Sequence, residues 1–232
     1  MLLAAVAAAL SIVAAPGREA RAAASLADVE SAVAQLVTIP TRLGGALTRH
    51  GSAFYFTREG HLLTCAHVLA HMPKEDAPRL LLSDGSQRRF EVLRVDAETD
   101  LALLLSEPSE RFIALDHAPV PDVGERVLFA GAARGSGDPG PLSLRRCAVL
   151  SVGTRQGGRR ASIVEIKVDE MADPGQSGGP LLLERTMAAI GVMRANLESA
   201  TGGASGPRRG SGLAVPQLYD KRLVFDVASE SF

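Results

Sequence analysis

From Gly51 to Pro216 the chain is a succession of brief apolar runs broken by turn residues: SAFYFT, HLLTCAHVL, RLLLSDG, RFEVLRVD, DLALLLS, RVLFAG, CAVLSVG, ASIVEIKV, GPLLLE, AAIGVMRA and GLAVP. Runs so many and so short do not make a helical domain. No segment of ten to fifteen residues with helical period separates them, which excludes a doubly wound parallel sheet and leaves an all-β sandwich or a pair of barrels. Aromatic residues are only 4% of the chain and tryptophan is absent, so the core must come from Leu, Val, Ile and Ala in small, tightly closed layers. Asp84-Gly85 predicts a hairpin turn with QRRFEVLRV as the returning strand. The Gly/Pro-rich stretches 131–141 and 201–212 predict surface loops.

Ahead of these strands, Leu26, Val29, Val33, Leu36 and Val37 share one side of a helical spacing, predicting a short helix over 26–36. The uncharged run Met1 to Ala15, ended by Pro16-Gly17, fits the apolar region of a signal peptide and falls short of the roughly 20 residues that span a bilayer. Ala20-Arg21-Ala22 offers a small-x-small cleavage site. No Lys or Arg precedes the apolar run, so an uncleaved anchor is the alternative. The expectation is export to the periplasm or medium, with no stable membrane insertion after cleavage.

Charge is balanced, 25 basic against 26 acidic side chains, so no net field draws the chain to nucleic acid. Cys65 and Cys147 are expected as free, buried thiols. With no C-x-x-C and no clustered histidine ligands, neither a metal nor another cofactor is expected.

The stretch DPGQSGGPLLL, Asp173 to Leu183, sets Ser177 among three glycines. Gly175, Ser177 and Gly179 satisfy G-x-S-x-G, the nucleophile elbow of α/β-hydrolases, where the order is Ser, acid, His. All five histidines, at 50, 61, 67, 71 and 117, precede Ser177, so that reading fails. The order Asp, His, Ser of subtilisin would have only Asp28 available and needs a parallel sheet. His, then Asp, then Ser belongs to the two-barrel chymotrypsin fold. His67, among the small residues Thr64, Cys65 and Ala66, is the candidate base; His50, His61, His71 and His117 are expected to be exposed. Asp100, at the base of DLALLLS, is the candidate orienting carboxylate, with Asp96 as its rival. Glycine torsions let the N–H groups of Gly175 and Ser177 converge on an oxyanion.

At these residues the sequence resembles the trypsin-like serine proteases, and among them the bacterial HtrA-like branch. GSAFYFTREGHLLTCAHVL looks like the family's histidine segment, DAETDLALLLSEP like its aspartate segment, PGQSGGPLLL like its serine segment and GLAVPQLYDKRL like its last strand and terminal helix. The resemblance implies two six-stranded antiparallel β-barrels with the active site in the cleft between them and a short C-terminal helix. The expected division is a signal peptide 1–22, a lead-in segment 23–50, an N-terminal barrel 51–118 and a C-terminal barrel 119–232. It implies a His67, Asp100, Ser177 triad, Met171 at the floor of the primary specificity pocket, and Met193, Arg194, Ala195 and Asn196 along its wall. Digestive relatives carry an acid where Gln176 stands, so activation by insertion of a new N-terminus is not expected, and no PDZ module is expected after Val215. The implied activity is serine endopeptidase on polypeptide substrates, after small or medium apolar residues; a silent binding protein on the same fold, or an esterase, are the alternatives.

Overall fold

The apolar runs become strands in two antiparallel sheets. The computed structural model describes residues 21–40, 46–73, 76–116, 120–132, 142–157, 160–170, 172–194 and 210–214. The predicted terminal helix and most of the leader lie outside these residues. The first described element is β1 (Arg21–Ala22), which pairs in parallel with Arg111–Phe112. Helix α1 (Leu26–Ala32) follows, its start fixed by Ser25, whose side chain accepts from the Asp28 N–H. Asp28 is buried and ion-paired to Arg111 Nε at 2.8 Å.

The helix is shorter than its periodicity predicts. At Val33 the chain turns extended and becomes β2 (Val33–Ile39), buried along almost its whole length. VAQLVTI is rich in β-branched residues, and pairing on both edges with β3 (Thr48–Tyr55) and β5 (Ala77–Leu81) overrides the helical spacing. The remaining strands of this sheet are β4 (His61–Cys65), β6 (Gln87–Arg88), β7 (Phe90–Asp96) and β8 (Leu101–Ser106), in the order β6-β5-β2-β3-β4-β8-β7. Between β4 and β5 sits the one-turn helix α2 (Ala66–Ala70). The sheet has seven strands where six were expected, because the returning segment splits at Arg89: β6 pairs with β5, and β7 with β8. The Asp84-Gly85 turn forms as predicted, with Gly85 at φ 81 and Asp84 Oδ1 accepting the Ser86 N–H at 2.8 Å.

After β9 (Arg111–Phe112) the chain crosses to a second sheet, a closed barrel of β10 (Arg126–Ala132), β11 (Leu142–Gly157), β12 (Arg160–Val168), β13 (Pro180–Leu183), β14 (Ala189–Arg194) and β15 (Gly210–Ala214). Its strands show why the apolar runs are continuous rather than alternating. Val127 and Phe129 of β10, Leu181 and Leu183 of β13 and Met193 of β14 fill the barrel. Their neighbours Leu128, Ala130, Leu182 and Val192 point the other way, into a core shared with Phe54, Leu62, Leu63 and Leu104 of the first sheet. Successive side chains of a strand face opposite sides, so runs such as Leu181–Leu183 are apolar throughout because both faces are buried. The two sheets therefore share one continuous apolar core.

Candidate active site

The meeting of His67 and Asp100 follows from strand register. β4 and β8 are antiparallel with Cys65 opposite Leu101, so the chain leaving β4 lies beside the chain about to start β8. The ladder continues one bond further, Ala66 N–H donating to Asp100 C=O at 3.0 Å. Asp100 then grips His67 twice: Oδ1 accepts the His67 backbone N–H at 2.9 Å and Oδ2 contacts Nδ1 at 2.7 Å. To do so Asp100 adopts φ 59, a left-handed conformation that aspartate tolerates better than most residues at a cost of about 1–2 kcal/mol. Asp96 is not the partner. Its Oδ1 accepts the N–H groups of Glu98 and Thr99, closing the turn that delivers Asp100. Burial pushes the Asp100 carboxyl up, but the hydrogen bonds from the His67 side chain and backbone, with the charges of His67 and Arg194, hold it below the ordinary carboxylate value.

Ser177 lies in the loop between β12 and β13, and that loop is tied to both sheets. Ser177 C=O accepts the Ser52 N–H of β3 at 2.8 Å, and Gly175 C=O accepts Ser52 Oγ at 2.7 Å. On the barrel side, Gly178 N–H donates to Met193 C=O at 2.8 Å and Met193 N–H to Gly179 C=O at 2.7 Å. Gly178, at φ 90, could carry no side chain: a Cβ would stand 2.0 Å from Ser52 C=O and 2.3 Å from Thr64 Oγ1. Gly51 is the other close approach. A Cβ there would lie 2.6 Å from Val68 of α2 and 2.9 Å from the Ser177 carbonyl oxygen, so its bareness lets the histidine helix and the serine loop close on the same point. The amides of Gln176, Gly178 and Gly179 all donate within the fold, whereas the Gly175 N–H has no acceptor among the described residues. Gln176 Oε1 accepts the Asp173 N–H at 2.5 Å, and Arg145 bridges Glu170 and Asp173, bracing the loop from β11.

Of the pocket residues, Met193 is buried in the barrel core. Arg194 points its guanidinium toward Asp100 Oδ2 at 4.0 Å and Glu165 Oε1 at 3.8 Å. Met171, Ala195 and Asn196 lie outside the described residues, as does His117. Two other histidines depart from expectation: His61 is buried beside Thr57 Oγ1 at 2.8 Å, and His50 is half-buried against Thr38. His71 is exposed as expected. Both cysteines are free, Cys65 buried but Cys147 only partly so. Burial pushes the Cys65 thiol up and that of Cys147 up to about 12, so neither supplies a thiolate near neutral pH.

Two joined all-β sheets, one a closed barrel, with a carboxylate-held histidine on one side and a glycine-cradled serine on the other, define the chymotrypsin-like class. The chain belongs to the family of trypsin-like peptidase domains, whose model matches residues 51–192. It is similar to the "Probable periplasmic serine endoprotease DegP-like" of Chlamydia trachomatis serovar D, 27% identical over 187 residues that cover 78% of this chain and 34% of that protein. It is also similar to "Serine protease HTR4" of Rattus norvegicus, 29% identical over 141 residues, 57% of this chain and 27% of that one. Among solved structures, the HtrA-type protease AlgW with tripeptide superposes with a TM-score of 0.66 at 25% identity, covering 87% of this chain and 64% of that chain. The chain spans about a third of the length of the curated relatives it matches. No helix among the described residues is long and apolar enough to cross a membrane.

Proposed function

We propose that this chain is an exported serine endopeptidase in which Ser177 is the nucleophile, His67 the general base and acid, and Asp100 the group that orients the imidazole. The observation that carries the reading is the two-point hold of Asp100 on His67. A carboxylate at Nδ1 assigns the ring proton to that nitrogen and leaves the Nε2 lone pair as the base. Nε2 takes the Ser177 Oγ proton as Oγ attacks the scissile carbonyl. The N–H groups of Gly175 and Ser177 receive the oxyanion. The imidazolium returns the proton to the leaving amine, and water, deprotonated in the same way, hydrolyses the acyl-enzyme. These steps run on the chain's own groups.

Met171 at the pocket floor, with Ala195 and Asn196 on its wall, favours small or medium apolar side chains before the cut; Met193, expected on that wall, belongs to the barrel core, and its backbone N–H and C=O are taken by Gly179 and Gly178. The apolar leader and the DegP-like relative named as periplasmic support work in the periplasm or outside the cell. Signal cleavage alone yields the competent enzyme, and the first sheet, which takes in β2 (Val33–Ile39) from the expected 23–50 lead-in and so starts ahead of the expected 51–118 barrel, faces the barrel that follows residue 119 across the cleft. A peptide-library digest of the wild type beside Ser177→Ala, with fluorophosphonate labelling of both, tests the whole reading. Cleavage and labelling only in the wild type, with an apolar preference, is expected. An unlabelled wild type would leave a silent protease fold; ester turnover without peptide turnover would make it an esterase; activity only after a second cut within residues 23–50 would refute competence on signal cleavage.

A further inference from the structure

His67 has a second histidine within reach that the peptidase chemistry does not use. His71 stands four residues on, and its N–H donates to His67 C=O at 3.2 Å, one helical turn later. Residues spaced i, i+4 share a helix face, and histidines so placed are a recurrent zinc-chelating pair. The two rings meet edge to face with centroids 6.2 Å apart and planes at 67°. Zinc binds imidazole nitrogen at about 2.0–2.1 Å, which places the centroids of a bridged pair about 5–6 Å apart. Bridging requires the centroids to close by up to about 1 Å and the His71 ring, exposed at the end of α2, to turn a nitrogen toward His67 Nε2. His67 is also prepared as a ligand: Asp100 at Nδ1 fixes the ring and leaves Nε2 outward, the carboxylate–histidine–metal arrangement that raises ligand basicity.

We propose that His67 Nε2 and His71 form a two-histidine site for a divalent cation that favours imidazole, zinc being the probe, and that occupancy reversibly inhibits the enzyme. The metal takes the lone pair that the base needs, so binding and proton abstraction exclude one another. Water completes the coordination. The inhibition rests on the peptidase reading; the binding does not. A different trio, Cys65 with His67 and Asp100, has ligand atoms within 4.8 Å of one another, but it makes a poor site. Its thiol is buried and donates to Met193 C=O at 3.4 Å, a thiolate would have to form there, and ligation through Nδ1 would break the bond to Asp100.

The test is a calorimetric titration of zinc chloride into the wild type, His71→Ala and Cys65→Ser, with fluorophosphonate labelling and peptide cleavage on the same samples. One zinc per chain is expected in the wild type and in Cys65→Ser, with affinity at least tenfold weaker in His71→Ala. Zinc should suppress labelling and cleavage in the wild type, a chelator should restore both, and His71→Ala should cleave normally and resist zinc. Equal affinity in His71→Ala, lost binding in Cys65→Ser, or bound zinc that leaves labelling intact would each overturn the proposal. If no sample cleaves or labels even without zinc, the peptidase reading and the inhibition fall together, and the calorimetry alone decides the metal site.

Discussion

Asp100, doubly hydrogen-bonded to His67, is the residue on which the proposed chemistry turns, and its removal has two separable consequences. Asp100→Asn keeps the shape but can present an amide N–H to Nδ1, favouring the wrong tautomer, so kcat on a peptide substrate is expected to fall about ten-thousandfold. Retention of wild-type turnover would remove Asp100 from the mechanism. The second consequence concerns stability. Because the folded carboxyl titrates below its unfolded value of about 3.9, its ionised form stabilises the fold above that pH, and this contribution is lost as pH falls through the folded value. Thermal melts from pH 6 to 2 should therefore show the wild type losing its advantage over Asp100→Asn below about pH 4; parallel curves would contradict the assignment. The triad candidates were legible in sequence because their order along the chain discriminates between folds. What Arg194 and His71 face was not, since it depends on the register of β4 with β8 and on one helical turn.

At the scale of elements, the segment Leu26 to Ile39 separates what periodicity can and cannot decide. A helical reading puts Leu26 and Leu36 on one face, equally buried. In the fold Leu26 is 36% exposed on α1 while Leu36 is fully buried in β2. Leu36→Ala is expected to cost about 2–5 kcal/mol, and Leu26→Ala to stay within about 0.5 kcal/mol, the usual range for surface positions. Denaturant melts of the two variants check this, and equal losses would favour the longer helix. Val33, Val37 and Ile39 carried a strand signal, but a short apolar run reads both ways and only pairing with β3 and β5 decides it. The serine loop is the opposite case, since its glycines announced a tight backbone that the fold then explains. Gly178→Ala would add a left-handed penalty of about 1–2 kcal/mol to a clash of about 1–3 kcal/mol with Ser52 and Thr64. A Tm unchanged from wild type would mean that the loop is looser than its contacts imply.

For the whole molecule, the question is what aligns the sheet that leads into the His67 helix with the loop that carries Ser177. The shared apolar core brings the sheets together, but dispersion and burial are not directional enough to set a catalytic geometry. Ser52 supplies direction. Fully buried on β3, it gives its N–H to Ser177 C=O and its Oγ to Gly175 C=O, accepts the Ala132 N–H of β10 on Oγ at 2.9 Å, and accepts Thr64 Oγ1 on its carbonyl at 2.7 Å. Nothing in the sequence marks this serine, because its partners lie far along the chain and converge only when both sheets are formed. Ser52→Ala would leave Ala132 N–H and Gly175 C=O without that partner, costing about 1–3 kcal/mol for each group that finds no other. It would also free Gly175, whose amide is the proposed oxyanion donor. Ile166→Ala, in the barrel core, is expected to destabilise by a similar amount, about 2–5 kcal/mol, without touching that amide. The two variants, assayed well below their Tm, should therefore separate: Ile166→Ala keeping wild-type kcat, and Ser52→Ala losing up to about a hundredfold, as a misplacement near 1 Å can. If both retain full turnover, the Ser52 hydroxyl is only a buried hydrogen-bonding group, and the apolar contact together with the backbone bond from Ser52 N–H to Ser177 C=O, which the substitution keeps, aligns the sheets.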